Sequence, residues 1–219
     1  MDDSTSHMPV LHAMCRCGYF RTGMLHLFSG DAVRLDFIDC ISGLVIENEN
    51  PLFLLLILDM SGPEALREFK AAVDFLNQIN MPVRAGVLVS RYNEYLTWYI
   101  SRKLRGRVTF FNSHNLHSGL FHKNILSWLR GKTFRPMHVV ERFRDCRYGF
   151  SLKEWVSLVI PLSGETMQEI ALCTGLRPQA LYQVRHNALK KIGIKSYREF
   201  CELYLQGKIR TENDRITRR

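Results

Sequence analysis

Within residues 151–199 one four-residue pattern occurs three times, as Ser151-Leu-Lys-Glu154, Thr166-Met-Gln-Glu169 and Ser196-Tyr-Arg-Glu199. Each predicts a helix start. The Ser or Thr oxygen accepts the backbone N–H three residues on, and the Glu returns a bond to the cap, so two orphan donors are satisfied. Between the second and third, the run from Arg177-Pro178-Gln179-Ala180 to Lys190-Lys191-Ile192 predicts another helix. Pro178 suits its first position, where the missing N–H has no helical partner in any case. Leu181, Val184, Ala188 and Ile192 recur at helical spacing and give it an apolar inward stripe.

Four short helices, one of them basic, suggest a DNA-binding module, and the composition agrees. The chain has 219 residues, is 46% hydrophobic and carries a net charge of +9. That length and apolar content favour a folded protein, with two cores rather than one. The charge favours a polyanionic partner, nucleic acid or an anionic surface. Residues 150–219 hold 12 Lys or Arg against 7 Asp or Glu, and the rest of the chain 18 against 14. The smaller C-terminal segment is the more basic per residue.

The first residues, Met1-Asp2-Asp3-Ser4, are acidic and precede no signal-like apolar stretch, which implies the cytoplasm. The longest apolar run, 52–58, is too short to span a bilayer, so no membrane partner is expected. Cysteines 15, 17, 40, 146, 173 and 201 lack paired spacing and read as free thiols. Cys15-Arg-Cys17 and the histidines 114, 117 and 122 lack the accompanying ligands a metal needs, and no metal or other cofactor is expected. No nucleophile-elbow, P-loop or HExxH pattern occurs, which argues against an enzyme.

Toward the amino terminus, apolar blocks at 10–14, 35–41, 52–58, 83–89 and 108–111 alternate with helical patterns at 19–28, 63–79, 93–105 and 116–129. Such alternation predicts an α/β fold with a parallel sheet covered on both faces. The expected organisation is an α/β domain at 8–130, a linker at 131–148, an all-α four-helix domain at 149–208 and a basic tail at 209–219. Arg102-Lys103-Leu104-Arg105-Gly106-Arg107 is a strongly basic run before the last strand, either a solvated turn or part of a partner surface.

The C-terminal segment resembles the LuxR/FixJ (NarL)-type helix-turn-helix of bacterial response regulators. The matching residues are Leu158, Gly164, Glu169-Ile170-Ala171, Leu176 and Lys191-Ile192-Gly193-Ile194 with Ser196. The resemblance implies that Tyr182, Gln183 and His186 read base edges, with Arg185 and Asn187 as further candidates. Arg177, Gln179, Lys190, Lys191 and Lys195 form the expected phosphate set. Arg177, Ala180 and Val184 replace the family's usual recognition residues, so target preference should differ from a typical member.

The amino-terminal region resembles the receiver domain of the same class, through Gly23 and the apolar spacing of Phe20, Leu25, Leu27 and Phe28. That register places Asp59 at the phosphoacceptor position and Ser90 at the switch hydroxyl. Cys15 and Arg16 fall where an acidic pair would hold Mg²⁺, and a thiol and a guanidinium are poor substitutes for oxygen ligands. Arg16 pairing with Asp59, and Asp59 simply capping its turn, are equally open. The resemblance, in outline to enterobacterial accessory regulators, implies a transcriptional regulator of double-stranded DNA that works without phosphorylation. It would act as a homodimer or as a heterodimer with another response regulator, with RNA polymerase a further candidate partner. Use of Asp59 as a true phosphoacceptor, or action mainly through protein contacts, are the alternatives. The aromatics Phe110, Phe111, Phe121 and Trp128 are candidates for a dimer contact, with core packing the stronger reading for at least half of them.

Overall fold

The computed structural model describes residues 8–46, 51–58, 63–89, 94–105, 107–116, 118–134, 149–212 and 215–218. Five apolar segments form a parallel sheet: β1 (Val10–Met14), β2 (Arg34–Ile38), β3 (Leu52–Leu58), β4 (Val83–Val89) and β5 (Val108–Asn112), in the order β2-β1-β3-β4-β5. The helices α1 (Gly18–Leu27), α2 (Pro63–Gln78), α3 (Glu94–Lys103) and α4 (Leu120–Leu129) supply the crossovers. This doubly wound order reverses between β1 and β3, which opens a crevice at the C-terminal ends of those strands. Two boundaries depart most from the sequence pattern. The second strand stops at Ile38 and a 3-10 turn follows at Ile41–Gly43, while α4 starts only after Gly119, whose φ of 70° turns the chain.

The period of two along β3 divides its side chains between two cores. Phe53 and Leu55 face α1 and α4, where they join Met24, Phe121 and Trp128. Phe111 lies edge-on to Phe121 and Trp128, with ring centroids 6.0 and 5.5 Å away. Phe110, Phe111, Phe121 and Trp128 are all buried within the chain, so their packing is internal. A Cβ on Gly86 would lie 2.8 Å from the Phe111 ring, so the close strand-to-aromatic approach requires glycine there.

Leu54 and Leu56 face α2 and α3, and this second core continues into the C-terminal helices. Those are α5 (Leu152–Val159), α6 (Met167–Thr174), α7 (Pro178–Lys191) and α8 (Tyr197–Leu205), with a 3-10 turn at Ile160–Ser163 after α5. Trp155 and Phe200, both fully buried, belong to the same apolar cluster as Phe69 and Tyr99. The two units are therefore docked through a shared core. Tyr95 bridges them, its hydroxyl donating to the Phe150 carbonyl at 2.7 Å and its ring lying 6.0 Å from that of Trp155.

The segment read as a basic tail adds a feature to the helical unit. β6 (Ile209–Glu212) and β7 (Arg215–Arg218) pair antiparallel as a hairpin, anchored through buried Ile209 and partly buried Ile216. Two of the three capping boxes form in full, at Ser151/Glu154 and Thr166/Glu169. At the third, Ser196 accepts from the Glu199 amide, but the Glu199 carboxylate takes the Lys195 N–H at 2.9 Å instead of the cap's own. Ser196 is more extended, with φ −145° against −67° for Ser151 and −79° for Thr166, so its amide is turned differently toward the first turn.

Candidate nucleic-acid interface

α7 begins as the sequence predicts, with Arg177 as its cap and Pro178 in its first turn. Its inward face is built from Leu181 and Ala188, both fully buried, and Leu189, with Val184 and Ile192 half-buried beside them. Leu189, next to Ala188, widens the stripe expected from 181, 184, 188 and 192. Packing of this face on α5 leaves the opposite face to solvent. Gln179, Gln183, His186 and Lys190 are exposed at intervals of four, three and four residues, the repeat of a single helical stripe.

The proposed base-reading residues fall into two groups. Gln183 Nε2 donates to Asn187 Oδ1 at 3.2 Å, so two amides are aligned along the exposed face, and His186 stands open beside them. Arg185 is held differently. Its guanidinium carbon lies 4.1 Å from the Tyr197 ring centroid and 4.9 Å from that of Tyr182. Two aromatic faces thus clasp one cation, an arrangement worth about 0.5–2 kcal/mol, which fixes half-exposed Tyr182 against α8. Burial raises the Tyr197 phenol, which stays neutral, and its hydroxyl donates to the Leu158 carbonyl at 3.2 Å. Sequence spacing alone missed Tyr197, because the contact joins two helices.

The proposed phosphate residues also divide. Arg177, Gln179, Lys190 and Lys195 are exposed. Lys191 forms an ion pair with Glu154 Oε1 at 2.7 Å, tying α7 to the capped start of α5. Glu154 therefore closes its capping box and holds Lys191 together.

A charged cluster joins the two units below this surface. Lys103, last residue of α3, lies 2.7 Å from Glu165 Oε2, which also accepts the Tyr99 hydroxyl at 3.1 Å. Lys70 on α2 donates to Asp74 at 2.8 Å and to Glu169 at 3.4 Å. Burial acts to raise the Glu169 carboxyl, but bonds from Thr166 and the charges of Lys103 and Lys70 hold it below the usual carboxylate range. Burial acts to lower Lys70, and its bond to Asp74 with the neighbouring carboxylates raises it instead. Asp74, Glu165 and Glu169 bring oxygens within 4.8 Å of one another, and two ammonium groups, Lys70 and Lys103, already pair with them. Burial raises the thiol of Cys173 nearby.

The crevice at the ends of β1 and β3 has a different character. Cys15 is 8% exposed, and burial raises its thiol above the ordinary cysteine value. Arg16 donates to Glu64 at 3.3 Å, Glu68 at 2.9 Å and the Asp39 carbonyl at 3.4 Å. Arg21 bonds the Cys15 carbonyl and Asp39. A neutral thiol beside a guanidinium does not fit a divalent cation, which needs anionic or carbonyl oxygen at those positions. Asp59 and Ser90 lie outside the described residues, as do His117, the side chain of His114, and 135–148 of the expected linker. His122 bonds Asp31 and packs on Phe28. Among the described residues no helix is long and apolar enough to cross a membrane.

No family model matches the chain, and no curated protein matches it. It is similar to solved structures of response regulators. One, of two RcsB dimers bound to two parallel DNAs, is 18% identical with a TM-score of 0.46, covering 91% of this chain and 98% of that one. The RcsB response regulator of Salmonella typhimurium, in a study of conformational dynamism for DNA interaction, gives 14%, 0.43, 91% and 98%. A low-resolution structure of the response regulator StyR gives 15%, 0.30, 90% and 98%.

Proposed function

We propose that this protein is a sequence-specific DNA-binding transcriptional regulator, with a receiver-like unit at 8–130 joined through 131–148 to a LuxR-type helix-turn-helix unit at 149–208. The observation that carries the reading is the exposed stripe Gln179, Gln183, His186 and Lys190 on a helix whose opposite face is locked into a packed core. A helix presenting amides, an imidazole and a cation has the donors and acceptors that major-groove edges and flanking phosphates require. On this reading Gln183, His186 and Asn187 read bases, Tyr182 is steadied by Arg185 and Tyr197, and Arg177, Lys190 and Lys195 hold the backbone.

Control through a metal-dependent aspartyl phosphate does not suit Cys15 and Arg16, so the regulator acts without phosphorylation. It works as a homodimer or beside another response regulator, in the cytoplasm, with RNA polymerase as the eventual target. Footprinting with the purified chain alone and then with candidate partner regulators tests this. Protection of an inverted repeat by the chain alone supports a homodimer, and protection only with a partner supports the heterodimer. No protection under either condition would sink the DNA-binding reading.

A further inference from the structure

The sequence makes Arg185 a candidate base reader, but the helix turns it elsewhere. At about 100° per residue, Arg185 stands far around α7 from Gln183, and it is half-buried where Gln179, Gln183 and His186 are exposed. Its guanidinium faces α8, with the guanidinium carbon 4.1 Å from the Tyr197 ring centroid. Tyr182 occupies the boundary between the two faces. It is 50% exposed, and it neighbours Gln179 and His186 one turn either way along α7, so it borders the exposed stripe. The Arg185 guanidinium covers its ring from the other side, 4.9 Å from the centroid.

The contacts behind Tyr182 run back into the core. Tyr197, the first residue of α8, stacks on fully buried Phe200 with ring centroids 5.8 Å apart. Its hydroxyl donates to the Leu158 carbonyl of α5 at 3.2 Å. Phe200 and Leu158 thus hold Tyr197, Tyr197 holds Arg185, and Arg185 holds Tyr182. A side chain already fixed in this way gives up little rotamer freedom on meeting a ligand. What it presents is the apolar body of an aromatic ring. In the major groove every base pair carries donors or acceptors, and the C5-methyl of thymine is the apolar feature a ring can pack against.

Resting on the DNA-binding reading, we propose that Tyr182 recognises a thymine C5-methyl group, and that Arg185 and Tyr197 are positioning residues that set this preference without touching a base. One position of the target sequence is therefore decided by a residue of α8, outside the helix that enters the groove.

The test takes a duplex selected from a random pool by the full chain and replaces its thymines one at a time with deoxyuridine, which removes the methyl group alone. Affinities are measured for the parent, Tyr182→Ala, Arg185→Met and Tyr197→Phe, with a thermal melt to check that each keeps the fold. The parent is expected to bind about four-fold more weakly after one of these replacements, the effect of one methyl group left in water. Tyr182→Ala and Arg185→Met should be indifferent to that replacement. Tyr197→Phe keeps the ring that clasps Arg185 and should still discriminate. If Arg185→Met weakens binding to every duplex and keeps the discrimination, its role is only structural. If it instead loses preference at a different base pair, Arg185 reads a base directly. Either result overturns the proposal. A parent that binds the selected duplex and tolerates every deoxyuridine also overturns it, while leaving the DNA-binding reading intact. A parent that binds no duplex overturns both.

Discussion

Lys103 Nζ lies 2.7 Å from Glu165 Oε2 across the junction of the two units, and the Glu165 side chain is fully buried. One ion pair therefore joins the last residue of α3 to the residue just before the α6 cap. Glu165 uses one oxygen for both Lys103 and Tyr99, while its other, Oε1, is buried and lacks a hydrogen-bond partner among the described residues. A carboxylate so placed depends strongly on the cation it touches. Lys103→Met should lower unfolding free energy by about 3–5 kcal/mol, the range for stripping one partner from a buried pair. Chemical denaturation measures this, and a loss below 1 kcal/mol would show that the junction does not rely on the pair.

Lys190 and Lys191 are neighbours with different surroundings, so their removal should separate. Lys190→Ala should leave stability nearly unchanged and reduce the salt slope of DNA binding by about 1. Lys191→Ala removes the tie to Glu154 and should cost about 1 kcal/mol of stability, a modest figure because the lysine is partly solvated. Fluorescence-anisotropy titrations of a duplex over a salt series, with thermal melts, on both variants check the contrast. Equal loss of salt slope in the two would contradict it.

The junction also sets a pH window. Glu169 titrates below its unfolded value, so its contribution is complete above about pH 4.3 and is lost as pH falls through the depressed folded pKa. Lys70 titrates above its unfolded value, so its contribution is complete below about pH 10.4 and is lost as pH rises through the folded pKa. Melting temperature plotted against pH should therefore fall at both ends. Glu169→Gln should flatten the acid limb and draw the alkaline one to lower pH, because Glu169 is one of the carboxylates that raise Lys70.

Gly86 is predicted to be intolerant of even one added methyl. An alanine Cβ would meet the Phe111 ring at 2.8 Å and Trp128 at 3.3 Å. Overpacking of this kind costs about 1–3 kcal/mol, readable as a lower denaturation midpoint.

If Asp59 is the phosphoacceptor of the proposed receiver-like unit, acetyl phosphate with Mg²⁺ should still leave the chain unmodified, because the thiol of Cys15 and the guanidinium of Arg16 are poor ligands for Mg²⁺. Intact mass after incubation is the measurement. A stoichiometric, acid-labile phosphate absent from Asp59→Ala would show that phosphoryl transfer proceeds at this site.

Much of the fold was legible because its signals are local. The capping pairs at Ser151 and Thr166, Pro178 in the first turn of α7, and the apolar run Leu52–Leu58 each declare an element through neighbours within a few residues. The exposed face of α7 followed from the same period. Contacts between elements distant in sequence were hidden. Nothing near Arg185 announces Tyr197, nothing near Lys191 announces Glu154, and the hairpin at 209–218 needed the core to supply a seat for Ile209.

The sequence by itself thus determined the helices and the five parallel strands, though not the hairpin at 209–218, and that Gln183 and His186 share a solvent face, since the helical period depends only on order along the chain. Tertiary structure decided that Lys191 braces a helix while Lys190 stays free of that task, because the partner lies 37 residues away in sequence. It decided as well that Lys103 of the first unit ends beside Glu165 and Glu169 of the second. Such pairings arise from how two amphipathic surfaces close over one core, and no local pattern encodes the angle at which they meet.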